Sequence, residues 1–268
     1  MAKKNIIAFL LCCSFIQFSC GQTHQLYGHN SAAAKYYLVR GCRMYTEVYG
    51  DGPALLLIHG NGGDIGSFSE TIPYFSKKYK VIAVDSRAHG QSIDNSDSLS
   101  FEQMADDFAI LLDSMHVDRA YVIGWSDGGI NALLLAMRHP EKVRKLASTG
   151  ANLWPDSTAL LPSVWKDELK YYTEHKDNPP TKAMAKNEYK IFLLDWLQPN
   201  IPLSALQQIK SPSLIISGDH DLIRLEHTVL IYQNIPGANL WVVPNSGHGT
   251  LIEHRDEFNK KVDEFFSK

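Results

Sequence analysis

The sequence has 268 residues, of which 44% are hydrophobic and 21% are charged, so the chain is long enough to bury a sizeable core. A net charge of −3, with no block of like charges, excludes the basic footprint of a nucleic-acid-binding protein. Four cysteines in this length exclude a disulfide scaffold, and Gly and Pro are too few for a collagen-like or low-complexity chain.

The beginning of the chain has the pattern of an export signal. Two lysines precede the apolar run Ile6–Phe18, which is too short to cross a bilayer but typical of a secretory signal. The run leads to Ser19 and Cys20, and a small residue before a cysteine resembles a bacterial lipoprotein signal. We therefore predict an export signal at residues 1–19 and a tether at 20–35. The protein is then periplasmic or anchored to a bacterial membrane through a lipid on Cys20, and free secretion is the alternative.

After residue 36, short apolar runs alternate with amphipathic segments. The runs are Ala54–Ile58, Val81–Val84, Tyr121–Ile123, Leu214–Ile216 and Leu240–Val243. Such runs, bounded by Gly, Pro or Asp, are typical of buried parallel strands. We predict that residues 36–49 form a hairpin at the edge of the sheet, with its turn at Gly41. Apolar residues at helical spacing after the N-cap candidate Ser100 predict a helix, so the alternation indicates an α/β fold.

The alternation stops between residues 151 and 210. This stretch is rich in tryptophan and tyrosine, has helical character, and lies between two predicted strands. We predict that it forms a small helical cap over the carboxyl edge of the sheet. Residues 36–150 and 211–268 then make up the core domain.

A glycine-rich turn around Ser126 carries the strongest chemical signal. The segment Gly124-Trp125-Ser126-Asp127-Gly128 has the pattern G-x-S-x-G, follows a predicted strand directly and precedes an apolar helix. A sharp strand-to-helix turn presents a serine hydroxyl at the top of a sheet, and small neighbours allow the strained backbone. We predict that Ser126 is a nucleophile.

A serine nucleophile needs a base and a carboxylate that orients the base. His248 lies in the loop between the last strand and the last helix, which places it at the same edge of the sheet as Ser126. The preceding strand ends at Gly218, and either Asp219 or Asp221 in the loop after it could supply the carboxylate.

Two main-chain N–H groups should form an oxyanion hole. One belongs to Asp127, the residue after the nucleophile. The other belongs to the loop after the strand 54–58, where Asn61 is the first candidate and Gly62 the second. Gly60 in this loop allows a close approach of the substrate. The loop has no Lys-Ser/Thr after its glycines, so a phosphate loop is disfavoured.

These motifs together resemble the α/β-hydrolase superfamily over about residues 36–268. The matching segments are HGNGG, DSRAHGQS, GWSDGG, GDHD and SGHG. The resemblance implies a mostly parallel eight-stranded sheet with helices on both faces and a helical cap after the sixth strand. It also implies the triad Ser126, Asp221 and His248, because the family pattern G-x-x-D selects Asp221 over Asp219.

Within the superfamily, GWSDGG followed by NALLLAMRHPEKV is similar to the valacyclovir hydrolase (biphenyl hydrolase-like) group, which cleaves esters of α-amino acids. Two residues depart from the family pattern. Ala88 stands where D-x-R-G-x-G usually has glycine, a change that is unfavourable only where φ is positive. His59 is the other, because amino-ester hydrolases do not always keep this histidine.

The side chain of Asp127 bears on the choice of substrate. A carboxylate beside the nucleophile would favour a substrate with an ammonium near the scissile carbonyl. The alternative is that Asp127 caps its helix or pairs with Arg87 or another cation. Gly60, Trp125 and Trp154 are further candidates for substrate contact.

The sequence thus predicts a serine hydrolase that cleaves a small-molecule carboxylic ester through an acyl-enzyme, with an amide or thioester as variants and with no metal or organic cofactor. Three alternatives stay open. They are a carbon–carbon bond hydrolase, a peptidase of the proline iminopeptidase type, and a ligand-binding protein that keeps the triad but turns over slowly.

Overall fold

A computed structural model of the protein describes residues 26–268, which form an eight-stranded sheet. The strands are β1 (Ala34–Val39), β2 (Cys42–Tyr49), β3 (Ala54–Ile58), β4 (Lys80–Val84), β5 (Ala120–Trp125), β6 (Val143–Thr149), β7 (Ser213–Gly218) and β8 (Asn239–Val243). Their order is β1-β2-β4-β3-β5-β6-β7-β8, and β2 is antiparallel to both of its neighbours, while the pairings from β4 to β8 are parallel. The predicted α/β sheet and its edge hairpin are confirmed.

Helices cover both faces of the sheet. They are α1 (Ile72–Phe75), α2 (Phe101–Ser114), α3 (Asp127–Arg138), α4 (Pro162–His175), α5 (Ala183–Leu197), α6 (Leu203–Leu206), α7 (Leu225–Asn234), α8 (Thr250–Glu253) and α9 (Arg255–Ser267), with 3-10 turns at Ile65–Phe68 and Pro140–Lys142. No helix in the described part of the chain is long and apolar enough to cross a membrane.

The two core layers follow from the alternation of side chains along each strand. In β3, Leu56 and Ile58 face the layer that contains α2 and α3, while Leu55 and Leu57 face the layer that contains α1 and α9. Both faces of β3 are therefore buried, as its uninterrupted apolar run predicts. Ser100 caps α2, because its hydroxyl accepts a hydrogen bond from the N–H of Gln103 at 3.1 Å.

The cap consists of α4 and α5, which follow the sixth strand. Helix α4 has no fully buried residue and is held to α5 by aromatic contacts. The rings of Trp165 and Tyr172 lie 6.3 and 5.2 Å from that of Trp196, centre to centre. Helix α5 lies between α4 and the core, and four of its residues are buried, including Lys190 and Ile191.

Two predicted boundaries need correction. The tether does not extend to residue 35, because β1 begins at Ala34 and the N–H groups of Gly28 and Asn30 donate to the buried carboxylate of Glu47 at 2.8 and 2.6 Å. The cap does not extend to residue 210, because Leu206 of α6 is buried in the core layer with α3. The predicted export signal and the lipid site at Cys20 lie outside the described residues.

Candidate active site

The backbone at Ser126 has the strained geometry of a nucleophile turn. Ser126 connects β5 to α3 with φ of +57° and ψ of −120°, a region that non-glycine residues rarely occupy. The turn is so tight that a Cβ on Gly124 would lie 2.0 Å from the carbonyl oxygen of Gly128, and a Cβ on Gly128 would lie 1.8 Å from that of Ile58. Glycine is therefore required at both positions, and the turn projects the hydroxyl of Ser126 above the sheet.

The structure brings Ser126, His248 and Asp221 into one hydrogen-bonded chain. Nε2 of His248 lies 2.9 Å from Oγ of Ser126, and Nδ1 lies 2.7 Å from Oδ1 of Asp221. The N–H of Ile223 also donates to Oδ1 of Asp221 at 3.0 Å and holds the carboxylate in place. Asp219 has a different contact, because its Oδ1 accepts the N–H of Ser246 at 3.1 Å and closes a turn.

Trp125 supports the base, which differs from its predicted contact with substrate. Its indole N–H donates to the carbonyl of His248 at 2.9 Å, and its ring packs on the core layer that contains Leu251. The reason is the alternation of side chains along β5, which turns Trp125 away from the side that Ser126 faces. Trp125 thus fixes the loop of His248, and its contact with substrate stays a prediction.

The oxyanion-hole candidates lie on either side of Ser126. The main-chain N–H groups of Asn61 and Asp127 donate to no protein acceptor among residues 26–268, so both are free for an oxyanion. Gly60 lies beside the nucleophile, because a Cβ there would be 2.9 Å from Cβ of Ser126. The side-chain amide of Asn61 donates to Oδ2 of Asp127 at 2.9 Å and to the carbonyl of Ile191 at 3.2 Å.

His59 supports this loop from below as a neutral ring. Burial, together with the neighbouring His89, lowers its pKa to about 3. Its Nδ1 donates to the carbonyl of Gly60 at 2.7 Å and its Nε2 accepts the N–H of Ser86 at 3.0 Å, which fixes the tautomer. His59 therefore positions the loop of Gly60 and Asn61 and is uncharged at neutral pH, with its single ring proton on Nδ1.

Trp154 lies in the loop after β6. Its ring meets that of His227 edge-on at 4.7 Å between centres, and its indole N–H donates to Oγ1 of Thr158 at 2.6 Å. The second contact occupies its polar atom, and its contact with substrate stays a prediction.

Asp127 neither caps a helix nor pairs with Arg87, which were the alternative interpretations of this residue. The carboxylate makes no capping bond on α3. Arg87 is occupied elsewhere, with Nε 2.6 Å from Asp107 and Nη1 2.6 Å from Asp94. Asp127 is only 3% exposed, and Asn61 is its one hydrogen-bond donor in the described part of the chain.

Two acidic residues of the cap complete the surroundings of Asp127, and sequence analysis missed both. The carboxyl of Asp195 on α5 lies within hydrogen-bond reach of the Asp127 carboxyl, and Glu168 on α4 lies close enough to repel both. Burial and this mutual repulsion raise the pKa of Asp127, and burial also raises that of Asp195. We call Asp127, Asp195 and Glu168 the acidic pocket. A single acidic residue in a helix gives no sequence signal of what it faces.

Comparison with known proteins agrees with this architecture. The family profile described as α/β hydrolase fold matches residues 53–178. The human serine hydrolase BPHL is 27% identical over 85% of this chain and 84% of its own length. The chain has the α/β-hydrolase fold and is similar in sequence to members of that superfamily. A relative from Comamonas testosteroni is 26% identical over 84% of this chain and 91% of its own length. Its name is 2-hydroxy-6-oxononadienedioate/2-hydroxy-6-oxononatrienedioate hydrolase.

Solved structures show the same fold. An enol-lactonase from Burkholderia xenovorans superposes with a TM-score of 0.72 over 87% of this chain and all of its own, at 22% identity. The α/β-hydrolase fold and the resemblance to the biphenyl hydrolase-like group are thus confirmed.

Proposed function

We propose that this hydrolase cleaves carboxylic esters through an acyl-enzyme formed on Ser126. The observation that carries the proposal is the 2.9 Å contact between Oγ of Ser126 and Nε2 of His248, with Asp221 behind the imidazole at 2.7 Å. A serine hydroxyl aligned with an oriented imidazole can lose its proton as it attacks a carbonyl carbon.

The catalytic cycle uses only residues of this chain. His248 takes the proton of Ser126, and the serine oxygen adds to the ester carbonyl. The N–H groups of Asn61 and Asp127 hold the resulting oxyanion, and Asp221 stabilises the imidazolium. The imidazolium then protonates the leaving alcohol. Water, deprotonated by His248, attacks the acyl-enzyme and releases the acid.

The preferred acyl group, in this proposal, carries an ammonium on its α-carbon. Asp127 supports this choice because its carboxyl is next to the nucleophile, is almost fully buried and has no cationic partner among the described residues. An ammonium beside the scissile carbonyl would supply the missing charge. A carboxylate at the same place would be repelled, which counts against carbon–carbon cleavage of acidic ring-cleavage products, the reaction suggested by the name of the Comamonas relative.

The test is hydrolysis of ethyl esters that differ only in the acyl group. The acyl groups are norleucyl with an α-ammonium, hexanoyl with none, and adipoyl monoester with a carboxylate. We expect the norleucyl ester to have the highest kcat/KM and the Ser126→Ala protein to lose multiple turnover on all three. Hydrolysis that survives Ser126→Ala would contradict the nucleophile, and a preference for hexanoyl or adipoyl esters would contradict the role of Asp127.

We also propose that the protein is exported and anchored through Cys20. The proposal rests on the lysines and the apolar run that precede Ser19 and Cys20. Mass spectrometry of the membrane fraction should detect a diacylglyceryl group on Cys20 as the first residue. A mature chain that begins elsewhere, or that is wholly recovered in the soluble fraction, would exclude the anchor.

A further inference from the structure

The acidic pocket is assembled from the core and from both cap helices. On α5, Asp195 lies one helical turn after Ile191, so the two residues share a face. The carbonyl of Ile191 accepts a hydrogen bond from the Asn61 side chain at 3.2 Å, and the same amide donates to Asp127 at 2.9 Å. That face of α5 is therefore directed at the nucleophile turn, and it places Asp195 against Asp127.

Glu168 enters the same pocket from α4. Trp165 and Tyr172 both contact the ring of Trp196, the residue after Asp195. Glu168 is three residues after Trp165 and four before Tyr172, so it lies between them on the face of α4 that packs on α5. Its Oε2 atom is buried and has no hydrogen-bond partner in the described part of the protein.

No basic side chain neutralises these three carboxyls. The ion pairs within residues 26–268 include none of them. Among the described residues, His248 can carry a positive charge near Asp195 and favours its carboxylate form. Asp127 and Asp195 are close enough to share one proton, and burial raises the pKa of Glu168 to about 7. Buried carboxyls without a counter-ion bind protons in the free protein, and a ligand that supplies a cation would stabilise their charged form.

We propose that the pocket selects acyl groups with two ammonium groups, the α-ammonium at Asp127 and a second, on the acyl side chain, between Asp195 and Glu168. This inference rests on the proposed function, since it takes the α-ammonium of the substrate as given. Asp195 and Glu168 belong to the cap helices and lie near Asp127, so in this proposal they bind the group that extends from the carbon that carries the α-ammonium. A metal ion is not the expected occupant, because no group of acidic, histidine or cysteine residues among those described has the geometry of a metal site.

The experiment compares ethyl esters of L-norleucine and of four diamino acids, namely 2,3-diaminopropionate, 2,4-diaminobutyrate, ornithine and lysine. Spontaneous hydrolysis and lactam formation are subtracted with the Ser126→Ala protein as the blank. We expect kcat/KM of the best diamino ester to exceed that of the norleucyl ester on the order of 10-fold, the effect of one partly screened charge pair. The length of that side chain will report the distance between the two ammonium positions.

Two variants of the same helix decide whether the preference comes from the pocket. Glu168→Gln should bring the ratio of diamino to norleucyl kcat/KM close to one. Glu174→Gln, at an exposed position of α4, removes the same charge from the cap and should leave the ratio as in the wild type. Because each ratio is measured within one protein, a change in the folded fraction does not affect it.

Three results would overturn the inference. The first is a wild-type ratio of diamino to norleucyl kcat/KM near one, and the second is a ratio that Glu168→Gln leaves unchanged. The third is a choline ester of norleucine whose kcat/KM exceeds that of the ethyl ester by more than any diamino acyl group achieves. That third result would assign the acidic pocket to the leaving group. Failure of the proposed function is distinct from these, since it would appear as a norleucyl ester that is hydrolysed no better than the hexanoyl ester.

Discussion

Two groups of buried carboxylates in this protein differ in whether a cation accompanies them. Where the cap meets the core, Asp94 and Asp107 surround Arg87 at 2.6 Å each, and Lys190 of α5 reaches Asp94 at 2.8 Å. We call these four residues the junction network. In the acidic pocket, a few residues further along α5, three carboxyls face one another with no ion-pair partner among the described residues.

Buried charge therefore has two different roles in this protein. In the junction network it stabilises the structure, and in the acidic pocket it is available to bind a ligand. A buried ion pair is tolerated when both members are present, and removing one member leaves an uncompensated charge. The junction network is complete, so it fixes the position of α5 over the sheet. The acidic pocket is incomplete in the free protein, which is the arrangement expected where a substrate brings the missing charge.

The largest expected effect is on stability, in the junction network. Arg87→Met should lower the free energy of unfolding by about 3–5 kcal/mol, because Asp107 and Asp94 would lose their main cation while remaining buried. Urea unfolding followed by fluorescence measures this difference. A loss below about 1 kcal/mol would mean that water already reaches the network, and the contrast between the two regions would then fail.

The next effect is on catalysis, in the acidic pocket. Asp127→Asn keeps the main-chain N–H of the oxyanion hole but removes the charge, so kcat/KM for the norleucyl ester should fall on the order of 100-fold. The hexanoyl ester should lose much less. Unlike Arg87→Met, this variant should be as stable as the wild type or more stable, because it relieves repulsion with Asp195.

Asp221→Asn is the matched control for this experiment. It removes a carboxylate that orients His248, so it should slow the norleucyl and hexanoyl esters by similar factors. Equal losses on both esters in Asp127→Asn would show that Asp127 acts through the triad or the fold, and its role in choosing the substrate would be excluded.

A smaller effect concerns the pH dependence of stability. Burial and repulsion by Asp195 raise the pKa of Glu168 from 4.5 to about 7. Between these values the folded state binds more protons than the unfolded state, so the free energy of unfolding falls as pH rises through this window. We expect Glu168→Gln to remove about 1–2 kcal/mol of this fall between pH 4.5 and 7.5, a value reduced from the single-site limit because Glu168 is only partly buried and solvent screens its charge.

The measurement is urea unfolding of wild type, Glu168→Gln and Glu174→Gln at both pH values. Burial also raises the pKa of Asp85, to about 6, so each protein will show some decrease with pH. The informative quantity is therefore the difference in slope between variants. Equal slopes in wild type and Glu168→Gln would show that this carboxyl is not buried in the folded state.

The triad residues and the sheet could be predicted from sequence because their signals are local. Ser126 lies in a turn whose glycines are fixed by close contacts, and His248 and Asp221 each follow a strand within a few residues. The geometry places all three together in one hydrogen-bonded chain. Asn61 was selected for its main-chain N–H, whereas the contact of its side chain with Asp127 depends on the packing of loop and cap.

The sequence predicts where the cap lies but not which of its side chains face the active site. Its composition predicted a helical insertion, yet the positions of Asp195 and Glu168 depend on how α4 and α5 pack on each other and on the core. That packing joins residues far apart in sequence, as the contact between Asn61 and Ile191 shows. The junction network has no sequence signal for the same reason, since Asp107 lies on α2 and Lys190 on α5, far in sequence from Arg87 and Asp94.

The smallest expected effect concerns Ala88, the residue after Arg87. Its φ is +67°, so the departure from glycine does strain the backbone, and its carbonyl accepts the side-chain amide of Asn187 on α5 at 2.8 Å. Ala88→Gly should relieve this strain and raise the free energy of unfolding by about 0.5–1 kcal/mol, after the greater freedom of glycine in the unfolded chain is subtracted. Urea unfolding beside the wild type measures the gain.

The same variant sharpens the contrast between the two regions, because strain at Ala88 lies beside the junction network and strain at Ser126 lies in the active site. Relief at Ala88 should leave the ratio of norleucyl to hexanoyl hydrolysis unchanged, since the junction network sets the position of α5 and not the charge of the acidic pocket. A changed ratio would show that the backbone at Ala88 controls how α5 presents Asp195, and the two regions would then have to be treated as one coupled unit.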